Sequence, residues 1–152
     1  MKLEQRLVVP TSRSNLWDLL MDMARVGRCF PGVEQVTAVD DQTYQGEMRI
    51  RVGPVSLNMS GTILVLERDK DRWHASMRLD GVARRIGGGV HATMEMDLKE
   101  LTPDETELII ASDVSFLGKL GELGQPVIRS KADSVIQEFA RNLSREAADS
   151  EG

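Results

Sequence analysis

A chain of 152 residues is the size of one ordinary domain, large enough for a single substantial core and too small for two. Its 41% hydrophobic and 28% charged residues place it with soluble globular proteins and exclude disordered, collagenous and membrane-spanning classes. A net charge of −5 without a basic stripe argues against general nucleic-acid affinity, and one cysteine excludes an internal disulfide and fits a reducing compartment.

The opening MKLEQRLVVPTSR has only a short apolar run, interrupted by proline, so no signal peptide is expected and a cytoplasmic protein is the default. The first element is a strand over Leu3–Val9. Next, PTSRSNLWDLLMDM offers Thr11, Ser12 or Ser14 as caps before Leu16, Trp17, Leu19, Leu20 and Met23, whose spacing of three and four describes an amphipathic helix. A second short helix follows and is stopped at Phe30-Pro31-Gly32.

From Val33 to Phe116 the period is two. Tyr44, Met48, Ile50 and Val52 alternate with Gln45, Glu47, Arg49 and Arg51, and after the Gly53-Pro54 turn Val55, Leu57, Met59, Ile63 and Val65 alternate with polar residues. Trp73, Ala75, Met77 and Leu79 form the inward side of the next strand, then Val90, Ala92, Met94, Met96 and Leu98 that of another. A last strand covers Thr106–Phe116. Gly81 to Gly89 reads as a glycine-rich interruption, a bend or loop at a sheet edge able to gate a cavity mouth. The period then returns to that of a helix, with Val127, Ile128, Ala132, Val135, Ile136, Phe139, Ala140 and Leu143 on one stripe, and REAADSEG from Arg145 frays. The expected fold is α+β, a twisted antiparallel sheet wrapped around one long C-terminal helix. It forms one domain over 1–145 with a polar tail over 146–152.

Chemistry is sparse in this pattern. Cys29 has only His74 and His91 as conceivable partners, and both alternate with inward residues, so they face solvent and leave no zinc spacing. Cys29 reads as a structural loop cysteine. Glu47, Glu95, Asp97 and Glu107 fall at outward or turn positions, where a carboxylate lacks the shelter a general acid or base needs. RRIGGGVHA lacks the phosphate-loop consensus and does not lead from strand to helix. Met48, Met59, Met77, Met94 and Met96 all fall on the inner face, with Met23 on the first helix. Flexible thioethers there either fill an irregular core or line a cavity for apolar ligands, and with 4% aromatic residues few bulky rings are available to fill the space. In FLGKLGELGQP the glycines at every third position mark either a hinge or a close approach of backbone.

Several stretches resemble the CoxG-like family of carbon monoxide dehydrogenase proteins, within the START-like, helix-grip superfamily: CFPGVEQV, RVGPVSLNMSGTI, IGGGVHATMEMDL and GKLGELGQPVIRSKADSVIQEFARNL, in this order. The resemblance implies a helix-grip (START-like, Bet v-type) fold with short N-terminal helices and an apolar cavity between sheet and helix. It also implies a non-catalytic accessory role in maturation or membrane recruitment of a molybdenum-containing carbon monoxide dehydrogenase, with a quinone- or lipid-like ligand and no cofactor. By position it places Met48, Met59, Met77 and Met94 in the lining, and Cys29, Phe30, Pro31 and Gly32 with Gly87, Gly88 and Gly89 around the mouth. With the inward positions read above, Leu20, Met23, Phe30, Tyr44, Ile50, Met96 and Phe139 are further lining candidates. The acidic ending carries no apolar anchor or basic amphipathic helix, so the tail gives no support to membrane attachment. Two other readings stand beside this one: a docking module using an apolar patch around Phe116–Leu123, and a START-like hydrolase or cyclase with Tyr44 as its inward candidate.

Overall fold

The computed structural model describes residues 1–151, with side chains through residue 149. Alternation of apolar and polar residues produces seven strands: β1 (Lys2–Val9), β2 (Val33–Ala38), β3 (Thr43–Val52), β4 (Val55–Asp69), β5 (His74–Ala83), β6 (Gly88–Thr102) and β7 (Glu105–Gly118). They form one antiparallel sheet in the order β1-β7-β6-β5-β4-β3-β2. Strands β2 to β7 are a plain meander, and β1 adds beside β7 from Lys2↔Asp113 to Val9↔Thr106. Register shifts at Val65/Glu67 and Glu100/Thr102 mark bulges that strengthen twist and let the sheet curve.

Three helices cover the concave face: α1 (Arg13–Met21), α2 (Met23–Cys29) and α3 (Gln125–Glu151). Of the three candidate caps for α1, Ser12 serves, its Oγ accepting the Asn15 N–H at 3.1 Å. Thr11 is buried instead, and its carbonyl accepts the Thr106 hydroxyl at 2.9 Å, which ties the strand-to-helix turn to β7. Met23 opens α2 rather than closing the first helix, because Asp22 interrupts the chain and caps the second helix through the Arg25 N–H at 3.3 Å.

The main core lies where α1, α2 and the second half of α3 meet the sheet. Leu16, Leu19, Leu108, Phe139 and Leu143 are all buried there, each such side chain contributing about 1.5–3 kcal/mol. Phe30 stacks on Phe139 with ring centroids 4.1 Å apart, and Trp17 meets Trp73 edge-on at 5.9 Å. A smaller cluster of Val52, Leu57, Ala83 and Leu120 occupies the opposite end.

The structure corrects several expectations. The helix does not fray at Arg145 but continues to Glu151, and a boundary at 145 would cut through packing. Ala147 is fully buried, its carbonyl accepts from Asn15 Nδ2 at 3.4 Å, and Glu146 accepts from Arg25 Nη2 at 3.0 Å. Gly152, the end of the expected tail, lies outside the described residues. The glycine-rich interruption shrinks to a turn over 84–87, since Gly81 belongs to β5 and Gly88 and Gly89 to β6, both inner strands of the sheet rather than edges. Val127, assigned to the core stripe, is 41% exposed. In Phe116–Pro126 two of the glycines serve close approach: Gly118 has φ +62° and a Cβ there would lie 2.3 Å from the Gly87 carbonyl oxygen, one on Gly121 would lie 3.1 Å from the Phe116 carbonyl oxygen, and Gly124 has open space but a φ of +85°.

Two outcomes follow. Gly118→Ala combines a left-handed backbone with a backbone collision and is expected to lower unfolding free energy by at least about 2 kcal/mol in urea titration. Ala147→Asp places an unpaired carboxylate in a site without exposure and is expected to lower stability by about 3 kcal/mol or more, whereas a frayed tail would tolerate it.

Candidate functional site

The long helix touches the sheet unevenly. Ile128 is buried near its start and Phe139, Leu143 and Ala147 in its second half, while Ala132, Val135 and Ile136 on the same stripe stay half-exposed. A cavity of about 300 Å³, at the small end of ligand pockets, lies between the concave face of the sheet and the α1–α2 segment with Phe30, and from α3 it meets Phe139.

Its walls come from every layer. Helices α1 and α2 supply Leu20, Met23, Val26 and Gly27, the following loop supplies Phe30, and α3 supplies Phe139. The sheet contributes Met48 from β3, Met59 and Ile63 from β4, Met77 and Leu79 from β5, Val90, Met94 and Met96 from β6 and Ile110 from β7. Thus six of the chain's eight methionines line one space, an arrangement suited to a flexible apolar occupant.

The floor has a feature that reading strands one at a time missed. Gly46, Gly61 and Gly81 pair in register across β3, β4 and β5, with Val36 and Val90 at the two ends of the row. Alternation turns all three inward, so across three consecutive strands one row of the cavity floor is bare backbone, flanked by Met48, Met59, Ile63 and Leu79. The signal was present in the sequence: Gly46 sits between Tyr44 and Met48, Gly61 between Met59 and Ile63, and Gly81 two residues after Leu79. Only their alignment across hairpins makes it meaningful.

Polar groups are kept outside. Glu47, Thr62 and Asp80 border the floor, but their side chains alternate to the convex face, where Asp80 pairs with His91 Nδ1. His74, expected to face solvent, has a largely sheltered ring held by Asp97 Oδ1 at 2.7 Å. The inward side chains of the lining therefore include no acid, base or nucleophile, and water entering would find little to hydrogen-bond.

Other sequence-predicted residues lie elsewhere. Tyr44 and Ile50 are outside the lining: the Tyr44 hydroxyl accepts from Arg68 Nη2 at 3.1 Å and donates to the Asp41 carbonyl at 3.3 Å, and Ile50 packs on the smaller cluster. Cys29 is buried beside the site, donating to the Arg25 carbonyl at 3.6 Å, while its own carbonyl accepts from Asn142 Nδ2 at 2.8 Å. Burial first, and Glu146 second, push its thiol pKa up against the opposing pull of Arg25 and Arg28, so the thiolate form is disfavoured. Pro31 and Gly32 follow Phe30 without reaching the cavity; Gly88 and Gly89 pack toward Leu117 and Leu120 rather than the lining, and Gly87 has open space where a Cβ would be. Among the described residues, no group of three or more His, Cys, Asp or Glu is placed to hold a metal, and no helix is long and apolar enough to cross a membrane.

Comparison with known structures finds the same architecture. A conserved protein from Geobacillus kaustophilus superposes with a TM-score of 0.89 at 20% identity, covering 99% of this chain and 97% of that one. A START superfamily protein from Mycobacterium smegmatis gives 0.72 at 11% identity, covering 97% of each chain. The ZhuI aromatase/cyclase from Streptomyces sp. R1128 gives 0.70 at 14% identity, covering 97% and 93%. At these identities the likeness concerns the fold, which is the START-like helix-grip fold, and no curated protein matches the sequence significantly. The profile of one family spans residues 6–148, and by that match the chain belongs to the carbon monoxide dehydrogenase G-subunit (CoxG) family.

Proposed function

We propose that this protein binds one apolar molecule of quinone or lipid type and serves, without catalysing a reaction itself, as an accessory to a molybdenum-containing dehydrogenase of the carbon monoxide dehydrogenase kind. The observation that carries this reading is the methionine-lined cavity over the glycine row. A hydrocarbon chain placed there gains roughly 25 cal/mol for each Å² of apolar surface removed from water and meets no polar wall group to desolvate. The same absence of an inward acid, base or nucleophile supports a binding role over a hydrolase or cyclase. Membership of the CoxG family supports the dehydrogenase as the partner.

Cavity size refines the proposal. About 300 Å³ accommodates part of a long-chain molecule, so the buried portion is its hydrocarbon. Oxygen atoms of a headgroup stay outside, where water satisfies them.

Native mass spectrometry of purified protein, with solvent extraction of whatever co-purifies, is expected to give a prenyl-quinone or lipid at near one-to-one occupancy, or uptake of one when added. A mass unaltered by added quinones and fatty acids would sink the proposal. Met77→Trp fills the cavity from β5 and is expected to weaken uptake at least about tenfold while shifting the melting temperature by only a few degrees. In Gly81→Ala the new Cβ would press on side-chain atoms of Val90 at 3.0 Å and Met59 at 3.2 Å and meet the Ser60 carbonyl oxygen at an ordinary 3.8 Å, so the variant is expected to fold after a shift of a few tenths of an ångström and to prefer shorter or thinner chains, read as relative occupancy in a mixture of fatty acids.

A further inference from the structure

The outer face of the sheet carries a second depression, separate in chemistry from the apolar cavity. It is a polar hollow of about 510 Å³ that crosses from β2 to the end of β5, with Gln35, Thr37, Glu47 and Ser60 toward β2 and Arg84 at the far side. None of these five side chains makes a hydrogen bond or ion pair among the described residues. Asp80, the other carboxylate of the hollow, is already engaged by His91 and Arg78. Glu47 is the uncommitted one. The apolar patch expected around Phe116–Leu123 offers less, because Leu117 is exposed but Leu120 is buried and Phe116 half-buried.

The hollow reaches an open edge. β2 is the last strand of the sheet, and no further strand pairs with it. The Val39 N–H donates to the Thr43 carbonyl at 2.9 Å, in line with the pairs Ala38↔Tyr44, Thr37↔Gln45 and Val36↔Gly46. Opposed residues of an antiparallel pair alternate between bonded and unbonded, so Thr37 turns its N–H and C=O toward β3 while Val36 and Ala38 turn theirs outward. The opposite edge is guarded: Lys2, Glu4 and Arg6 alternate along β1, and Arg6 is held by Glu4 and Glu107. β2 has one charged residue, Glu34, which sits at its bulge and is held by Arg49. Gln35, Thr37 and Ala38 are exposed, and Val39 just beyond them is 56% exposed.

From this geometry we infer that β2 accepts an extended segment of a partner protein, which adds antiparallel as an eighth strand and carries basic side chains on its outward-facing positions. The N–H and C=O groups of Val36 and Ala38 hold the added backbone, and its alternate side chains lie beside Gln35 and Thr37, over the hollow. With strands about 4.8 Å apart, Glu47 on β3 is about 10 Å from the newcomer's backbone, a span that a lysine or arginine side chain and the glutamate cover together. Charge selects the partner. Glu34, Asp40, Asp41 and Glu47 surround this edge, while the nearby cations are occupied, Arg49 by Glu34 and Arg68 by the Asp41 carbonyl and the Tyr44 hydroxyl. The same carboxylates disfavour a second copy, which would set two acidic edges against each other. This docking is independent of what occupies the apolar cavity.

Fluorescence anisotropy of a labelled peptide of about eight residues, alternating lysine with valine, tests the inference on the intact protein. Saturable binding in the micromolar range is expected, weakening several-fold between about 0.1 and 0.5 M salt. In the added strand the valines oppose Val36 and Ala38, so N-methylation of the valine amides is expected to abolish binding and N-methylation of the lysine amides to spare it. Ala38→Pro removes one outward N–H at an exposed edge position and is expected to weaken binding at least about tenfold with an unchanged melting curve. Glu47→Gln is expected to weaken it several-fold and to flatten its salt dependence. A peptide that does not bind, equal binding of the valine-methylated peptide, or wild-type affinity in both variants overturns the inference. So does a dimer in sedimentation velocity that Ala38→Pro dissolves, since the edge then belongs to a second copy.

Discussion

The second half of α3 is the fixed point of this structure. Phe139, Leu143 and Ala147 are buried against α1, α2 and β1, Phe30 stacks on Phe139, and Asn142 and Glu146 hold the neighbouring helix through the Cys29 carbonyl and Arg25. Ile128 is buried near the start of the helix as well, while Ala132, Val135 and Ile136 between these points are only partly buried. The cavity lies beside the gripped half, with Phe30 and Phe139 in its lining, and its existence costs packing that the dense core has to offset.

What helps keep the space open is the absence of side chains along one row of the facing strands. An ordinary sheet of this length would carry branched residues at the positions of Gly46, Gly61 and Gly81, and three of them would fill much of the volume. Methionines around the row finish the surface with chains that adjust by rotation, so the lining can close on occupants of different outline. Apolar walls also make the site tolerant of remaining dry, since water inside would forfeit hydrogen bonds.

The fold separates its chemistry by face and by end. Carboxylates and imidazoles sit on the convex face in exposed or partly sheltered pairs such as Asp80 with His91 and Asp97 with His74, where solvent weakens each pair's energetic contribution. The concave face is hydrocarbon. Arg51, Arg84, Arg85, Lys119 and Arg129 stand exposed on the segments around the smaller cluster, with Glu122 as the acidic residue among them.

Much of this was legible in the sequence for a local reason. Alternation with period two follows from strand geometry alone, so Met48, Met59, Met77, Met94 and Met96 could be assigned to the inner face without knowing the partners of their strands. The stripe of α3 was equally visible, although Val127 and the continuation past Arg145 were misjudged because burial at a helix end depends on what lies opposite it. Tyr44 and Ile50 face inward as alternation requires, yet lie beyond the cavity's extent along the same strand. Register, curvature and the juxtaposition of turns are properties of pairing between segments. They alone aligned three separate glycines into a floor, moved Gly87–Gly89 away from the cavity, and brought Arg51, Arg84, Arg85, Lys119 and Arg129 to the segments around the smaller cluster. The sequence by itself determined which face each residue takes, because that is settled within a few bonds; only the tertiary structure decided which of those residues meet, because contact between distant segments is settled by the packing of the whole chain.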